Sequence, residues 1–174
     1  MNQGTLTARS LFDKKTITLN ILALLTVYLV PVFSHLTSLP VYYIEPMRLA
    51  ILFSIIFANY YNSLVIAITL PIFSFFVSAH PVLAKSFLIS GELLINVVLF
   101  YALVKIIKNS TVAFLLSLIS AKLFYYLLKY MLLNFAILDG TLISTPMTVQ
   151  LIMIAVFTTI FFIVAEKYLG KEFK

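Results

Sequence analysis

The stretch Ala84–Leu133, AKSFLISGELLINVVLFYALVKIIKNSTVAFLLSLISAKLFYYLLKYMLL, contains two long apolar runs. The runs Ala84–Ile107 and Thr111–Leu133 are separated by a short polar segment around Asn109. A hydrocarbon core of roughly 30 Å is crossed by about 20 helical residues, and each run is long enough. The stretch therefore predicts two consecutive transmembrane helices.

Outward from this pair, four more apolar runs predict further spans, at Thr16–Leu36, Pro46–Tyr60, Asn62–Val77 and Met147–Glu166. The chain is 63% hydrophobic and 10% charged over 174 residues, whereas soluble domains are nearer ~45–50% apolar. No length remains for a separate soluble domain. We predict an all-α, polytopic membrane protein, a six-transmembrane-helix bundle that forms a single transmembrane domain over residues 1–174.

The region 47–78 is apolar for longer than one straight crossing requires. Its polar break is the segment Asn59–Ser63, which favours two short helices joined by a tight turn. One long tilted helix is the alternative. Pro31 and Pro71 fall inside spans, where each removes a backbone donor and bends the helix.

The distribution of basic residues predicts the orientation, because cytoplasmic loops carry the excess of Lys and Arg. With six spans, the opposite side holds Arg48 and Lys85, and both termini are expected to be cytoplasmic. The residues on the cytoplasmic side are Arg9, Lys14, Lys15, Lys105, Lys108, Lys167, Lys171 and Lys174.

Ionisable residues inside spans are costly and usually face the bundle interior. Glu92 and Asn96 are four residues apart and share a helix face. By helical rise, Glu92 and Lys122 lie at similar depths, roughly 12 Å and 16 Å from the outer ends of their spans. We predict that Glu92 and Lys122 form a buried ion pair at a pocket floor, or alternatively that the pair only fixes helix register.

A stripe of Lys122, Tyr126, Lys129 and Tyr130 follows one face of the fifth span. Tyrosine offers a flat ring and a hydroxyl, so the stripe suits a ligand with rings or negative charge. The alternative is an interfacial aromatic belt with a snorkelling lysine, which fits Tyr130 better than the deep Lys122.

Several other chemistries lack support. The chain has no cysteine, and His35 and His80 have no metal-ligand spacing, so we expect neither a metal nor a cofactor. No catalytic motif is present, and we predict that the protein is not an enzyme. The net charge of +6 is scattered around apolar spans, which argues against nucleic-acid binding.

The segment LPIFSFFVSAHP, Leu70–Pro81, followed by Lys85 and Gly91–Leu94, resembles the substrate-binding S components of energy-coupling factor (ECF) vitamin transporters. Those chains often carry Pro-x-x-Ser-Phe at the end of the third helix, a small residue before His-Pro, and Glu-Leu in the fourth helix. Those chains commonly carry an Ala-x-x-x-Ala pattern in the first helix. This sequence departs from that pattern, because Ala23 is followed four residues later by Val27.

The resemblance implies a multi-pass protein of a bacterial or archaeal plasma membrane that binds a vitamin or related small molecule at its outer side. It implies partners as well: a membrane-embedded coupling subunit driven by two ATPase subunits. The loops after helices one, three and five, which contain Glu45, His80 and Asp139, would bind the solute. The predicted substrate contacts are Arg48, His80, Lys85, Glu92, Asn96, Tyr126, Lys129 and Asn134.

Two other functions remain open at this point. A non-transporting assembly or scaffold protein of a cell-envelope complex would disperse its outer polar groups around the rim rather than gather them at a cavity. A membrane enzyme would place two or more of His35, His80, Glu92 and Asp139 within hydrogen-bonding reach of one another.

Overall fold

A computed structural model of the chain describes residues 14–37, 41–78 and 81–169. These residues form six α-helices and one 3₁₀ turn, and they contain no β-strand. The prediction of an all-helical protein with six helices is confirmed. The helices are α1 (Lys14–Thr37), α2 (Pro46–Phe57), α3 (Tyr60–Ser78), α4 (Leu83–Ile106), α5 (Ser110–Asn134) and α6 (Met147–Leu169), with the 3₁₀ turn at Val41–Ile44.

The long apolar region 47–78 is broken into two helices, as the polar segment predicts. α2 ends at Phe57 and α3 begins at Tyr60. The Asn59 Oδ1 accepts a hydrogen bond from the Asn62 backbone N–H at 2.9 Å, which caps the first turn of α3. The alternative of one long tilted helix is therefore wrong. α2 has only 12 residues, a length of about 18 Å.

Among the described residues, four helical segments are long and apolar enough to cross a membrane: Tyr60–Val77, Leu83–Ile106, Ser110–Asn134 and Met147–Ala165. Shorter apolar segments are Thr16–Thr26 and Pro46–Phe57. Large apolar side chains such as Phe76, Ile106 and Leu123 are exposed, whereas Arg48, Glu92 and Asn96 are buried. An apolar exterior around a polar interior is the arrangement of a membrane protein.

The bundle has an aromatic centre on the side away from the α2 N-terminus. The Phe114 and Phe161 rings stack with centroids 4.3 Å apart, and Phe100 packs edge-on against both. α4 packs between α3 and α5, and α6 contacts α5 and α2. Ala23 of α1 is also buried in this core.

A buried polar network ties α1, α2 and α3 together near the α2–α3 turn. The side-chain amides of Asn20 and Asn62 exchange hydrogen bonds of 3.0 and 3.1 Å. Asn62 also donates to Ser54 Oγ, which lies 3.0 Å from Ser63 Oγ. Because these groups satisfy one another, they hold three apolar helices in one register without a buried unpaired donor.

The turn between α4 and α5 fixes the hairpin that carries most of the site residues. The Asn109 Oδ1 accepts hydrogen bonds from the backbone N–H groups of Thr111 and Val112, at 3.0 and 3.1 Å. This N-cap starts α5 directly after α4 ends, so the two helices run antiparallel. The N-terminus of α4 and the C-terminus of α5 therefore meet at the same end of the bundle.

Candidate functional site

A cavity of about 220 Å³ lies at the end of the bundle where the N-terminus of α4 and the C-terminus of α5 meet. It is bounded by the N-terminal ends of α2, α4 and α6, by the C-terminal parts of α3 and α5, and by the α5–α6 connection. Both apolar and polar side chains line it. The lining residues are Glu45, Pro46, Met47, Arg48, Ser74, Pro81, Lys85, Ile89, Glu92, Leu93, Lys122, Tyr125, Tyr126, Ser144, Thr145 and Gln150.

The cavity floor contains four charged side chains that form a closed ring of ion pairs. Cations and carboxylates alternate around this ring. Arg48 forms a close ion pair with Glu92, and its Nη1 lies 3.0 Å from Glu45 Oε2. The Lys122 Nζ lies 2.6 Å from Glu45 Oε1 and 3.6 Å from Glu92 Oε1. We call these four residues the charge ring. Two cations and two carboxylates make the ring neutral, which removes most of the cost of placing each charge inside a membrane bundle.

The predicted partners Glu92 and Lys122 therefore do meet, but Arg48 is the closer partner of Glu92. Arg48 is 3% exposed and Glu92 is 5% exposed, whereas the Lys122 side chain is 15% exposed. The Arg48–Glu92 contact is thus the more desolvated of the two. Removing either of its members leaves a buried charge without its main partner.

Glu45 attaches the connection between α1 and α2 to the charge ring. It precedes α2 with a backbone φ of +48°, a left-handed conformation that few non-glycine residues adopt. Burial alone would raise the pKa of the Glu45 carboxyl, but the positive charges of Arg48 and Lys122 together lower it below its ordinary value. Glu45 is therefore held as a carboxylate at the cavity wall, by contacts with α2 and α5.

Arg48 retains hydrogen-bonding capacity. Its Nε and Nη1 are buried and make no hydrogen bond, and Glu45 Oε2 is likewise without one. The Nη1–Oε2 approach of 3.0 Å is an ionic contact whose alignment is unsuited to a hydrogen bond. Buried polar groups normally find partners. Nη1 is therefore held by the charge of Glu45, and Nε has no hydrogen-bond partner among the described residues.

Two tyrosines and one amide side chain form a further part of the cavity wall. The Tyr126 hydroxyl donates to Gln150 Oε1 at 2.7 Å, and Gln150 Nε2 donates to the Thr145 carbonyl at 2.8 Å. These bonds fix the α5–α6 connection against α5. The Tyr125 ring packs edge-on against Tyr126. A rigid aromatic wall beside polar groups suits a small solute with a flat ring.

Two further lysines lie at the same end of the bundle. Lys85 lines the cavity and belongs to the first turn of α4. Lys129 is 3% exposed, its Nζ donates to Ser144 Oγ at 3.1 Å, and it lies 5.9 Å from the Tyr125 ring centroid. Both partners of Lys129 line the cavity, although Lys129 itself does not.

The structure thus places the predicted contacts in three groups. Four of them line the cavity: Arg48, Lys85, Glu92 and Tyr126. Lys129 lies directly outside it. Three others are elsewhere or outside the description: Asn96, Asn134 and His80.

Asn96 is buried one turn deeper than Glu92 and donates to Ser117 Oγ at 3.0 Å, so it joins α4 to α5 instead of lining the cavity. Asn134 is exposed at the end of α5. His80 lies outside the described residues, as does the side chain of His35. Asp139 is exposed, and the α5–α6 connection contributes Ser144 and Thr145 to the cavity instead.

Three residues that line the cavity were not among the predicted contacts, although one of them, Glu45, lies in a loop that the family resemblance implies for solute binding: Glu45, Tyr125 and Gln150. Glu45 had a usable signal, since it precedes Arg48 by three residues at a helix start, the spacing of an i,i+3 ion pair. Tyr125 sits one position away from the predicted stripe. For Gln150 the only signal in the sequence was a polar residue near the start of an apolar run. The side chain is 4% exposed, and this burial follows from tertiary packing.

Within the described part of the chain, no group of three metal-ligating side chains comes together. Comparisons with protein-family models, with curated protein sequences and with solved structures gave no match to this chain. The arrangement itself is a small cavity with an aromatic wall, a neutral charge ring at its floor and two additional lysines.

Proposed function

We propose that this protein is a membrane-embedded solute-binding protein whose cavity captures a small, partly aromatic, polar solute. The observation that carries the proposal is the convergence of Arg48, Lys85, Glu92, Lys122 and Tyr126 on one cavity at one end of the bundle. Binding sites for small molecules combine apolar walls with a few convergent polar groups. A scaffold would have no need to gather five costly polar side chains at one place.

The proposed topology has six crossings, with both termini in the cytoplasm and the cavity open toward the outside. The described basic residues support this orientation. Lys105, Lys108 and Lys167 lie at the opposite end of the bundle from the cavity, and Lys14 lies at the start of α1. Lysines that flank helix ends favour the cytoplasmic side.

In its most specific form, the proposal is that the chain is the substrate-specific component of an ECF-type uptake transporter for a vitamin or related molecule. The residues that carry the family resemblance support it by their position. Ser74, Pro81, Lys85, Glu92 and Leu93 all come from the resembling segments and all line the cavity. A coupling subunit and two ATPase subunits would then supply the driving force.

Docking on a coupling subunit would have to use a surface other than Ala23, which is 5% exposed and packed in the core of the chain itself. The exposed apolar positions of α1 include Ile21, Leu22 and Leu25. Co-purification with a coexpressed coupling subunit, compared between the wild type and a Leu22→Trp variant, tests this part separately.

The experiment for solute binding is native mass spectrometry of the protein purified in mild detergent, with Glu92→Gln beside the wild type. Lys105→Gln is the matched control, because Lys105 is exposed at the far end of α4. We expect a bound mass of a few hundred daltons in the wild type and the control, and its loss in a Glu92→Gln protein whose near-ultraviolet circular dichroism shows that it is still folded. An empty wild-type protein that instead brings down other membrane subunits, and that is not stabilised by any member of a vitamin panel, would contradict solute binding.

A further inference from the structure

We propose that Lys85 and Lys129 form an anion subsite at the edge of the cavity, which binds a carboxylate or phosphate group of the solute. This inference rests on the proposed solute-binding function and names the chemical class of its ligand. The charge ring is neutral, so the net charge of the site comes from these two lysines.

The first observation is that no carboxylate among the described residues compensates this positive charge. Within the described part of the chain, no carboxylate forms an ion pair with Lys85 or Lys129, since the described ion pairs of the site belong to the charge ring. Lys85 lines the cavity, and the Ser144 hydroxyl that Lys129 contacts lines it as well, so both ammonium groups belong to the same end of the bundle. Two like charges at a membrane-embedded site repel each other at low dielectric. Such a pair is costly unless an anion binds between or beside them.

The second observation is the burial of Lys129. It is 3% exposed, yet its ammonium hydrogen-bonds only the neutral Ser144 hydroxyl among the contacts described. A lysine ammonium has three donors. A lysine near the end of a membrane helix would ordinarily extend its ammonium group toward water. Lys129 instead has two partners that belong to the cavity wall, the Ser144 hydroxyl and the Tyr125 ring.

The third observation is the N-terminus of α4, a helix of 24 residues. The residue before it, Val82, provides no side-chain cap, and its first turn contains no acidic residue. The free N–H groups and the helix dipole make this end positive. Lys85 stands in the same turn, where a cation is unfavourable and an anion favourable. The N-terminus of α4 and the Lys85 ammonium group therefore both favour a negatively charged ligand.

These features assign the solute an anionic group at the Lys85–Lys129 edge and a flat ring along Tyr125 and Tyr126. Carboxylates and phosphates accept several charge-assisted hydrogen bonds at once. An anionic lipid headgroup has the same chemistry and could reach this end of the bundle, so the experiment must separate the two sources.

The experiment measures thermal unfolding of the detergent-solubilised protein with matched charged and neutral probes. The pairs are nicotinate and nicotinamide, biotin and biotinamide, and pyridoxine phosphate and pyridoxine, none of which carries an aldehyde that would condense with a lysine. Phosphatidylglycerol and phosphatidylcholine in mixed micelles form the lipid arm. Lys85→Gln and Lys129→Gln are compared with the Lys105→Gln control, because glutamine keeps a hydrogen-bond donor at each position.

Two results are expected. Without ligand, Lys85→Gln unfolds about 1–4 °C higher than the wild type, because a repelled cation has left the α4 N-terminus. At least one charged probe stabilises the wild type, and each variant weakens its affinity about 10- to 100-fold. The neutral member of that pair binds wild type and variants alike. A lysine with a merely structural role would instead lower the unligated unfolding temperature when replaced.

The remaining outcomes separate the two proposals. Binding of a charged and a neutral probe with equal affinity, unaffected by either substitution, would overturn the anion subsite and leave solute binding standing. Stabilisation by phosphatidylglycerol alone, lost in both variants, would support the subsite and contradict solute capture. If no probe in either arm stabilises the wild type, both are contradicted.

Discussion

Replacing Glu92 with glutamine should test whether the charge ring is built around the Arg48–Glu92 contact. The substitution keeps the size of the side chain but leaves Arg48, which is 3% exposed, with Glu45 as its remaining carboxylate partner. Breaking a buried ion pair by removing one member costs about 3–5 kcal/mol, because the other charge remains buried. We expect Glu92→Gln to lower the free energy of unfolding by an amount in that range.

A double-mutant cycle then ranks the partners of Glu92. The double variant Glu92→Gln, Arg48→Gln leaves no orphaned charge at that contact, so its loss should be smaller than the sum of the single losses. We expect a coupling free energy of about 2–3 kcal/mol for Arg48–Glu92. For Glu92–Lys122 it should be about 1 kcal/mol or less, because these atoms are 3.6 Å apart and Lys122 is more exposed.

Unfolding by sodium dodecyl sulfate in mixed micelles gives these free energies. The signal is the near-ultraviolet circular dichroism of the tyrosines, since the chain has 10 tyrosines and no tryptophan. Lys105→Gln, an exposed charge removal in α4, should change stability by less than about 0.5 kcal/mol. A coupling of Glu92 to Lys122 larger than its coupling to Arg48 would refute the assignment of partners.

Three further substitutions test other parts of the structure by the same assay. Asn62→Leu should cost about 1–3 kcal/mol, because the Asn20 amide and Ser54 hydroxyl lose a buried partner; an unchanged stability would contradict the network. The Glu45 carboxylate has a lowered pKa, so its contribution is present above pH 4.5 and is lost as pH falls through the folded-state value. Glu45→Gln should therefore flatten the pH dependence of stability below 4.5, and an acid profile identical to that of the wild type would contradict the ion pairs. Gly91→Ala should be neutral or stabilising by up to about 1 kcal/mol, because a Cβ there would lie at ordinary contact distances of 3.9 and 4.0 Å from its nearest neighbours; a clear loss would show that the α4–α5 contact is closer than described.

The helices could be predicted from the sequence because a membrane bundle imposes one dominant rule. The backbone inside a membrane must be helical, so apolar runs and their polar breaks mark the elements, although the 12-residue α2 is shorter than a full crossing requires. Asn59 shows how local the signal is, since one capping side chain separates α2 from α3. The division at this polar break is confirmed, but the prediction of two short helices is wrong for α3, which has 19 residues.

The site could be predicted only in part, because a shared helix face does not determine depth or partner. Glu92 and Asn96 do share a face, yet one turn separates a cavity residue from one that bonds Ser117. Helical rise placed Glu92 and Lys122 at one level correctly. It could not show that Arg48, from the short α2, would be the closer partner of Glu92, because the position of α2 depends on packing against α1, α3 and α6.

The division of the charged residues into a neutral ring and two additional lysines determines which substitutions can inform about function. Every member of the ring contacts at least two others, so removing one weakens the fold and the cavity together, and a loss of binding has two explanations. Lys85 and Lys129 belong to no ion pair among the described residues, and their replacement should relieve repulsion while removing ligand contacts. Stability and affinity then change in opposite directions. That opposition is the signature of side chains retained for a ligand at a cost to the folded state.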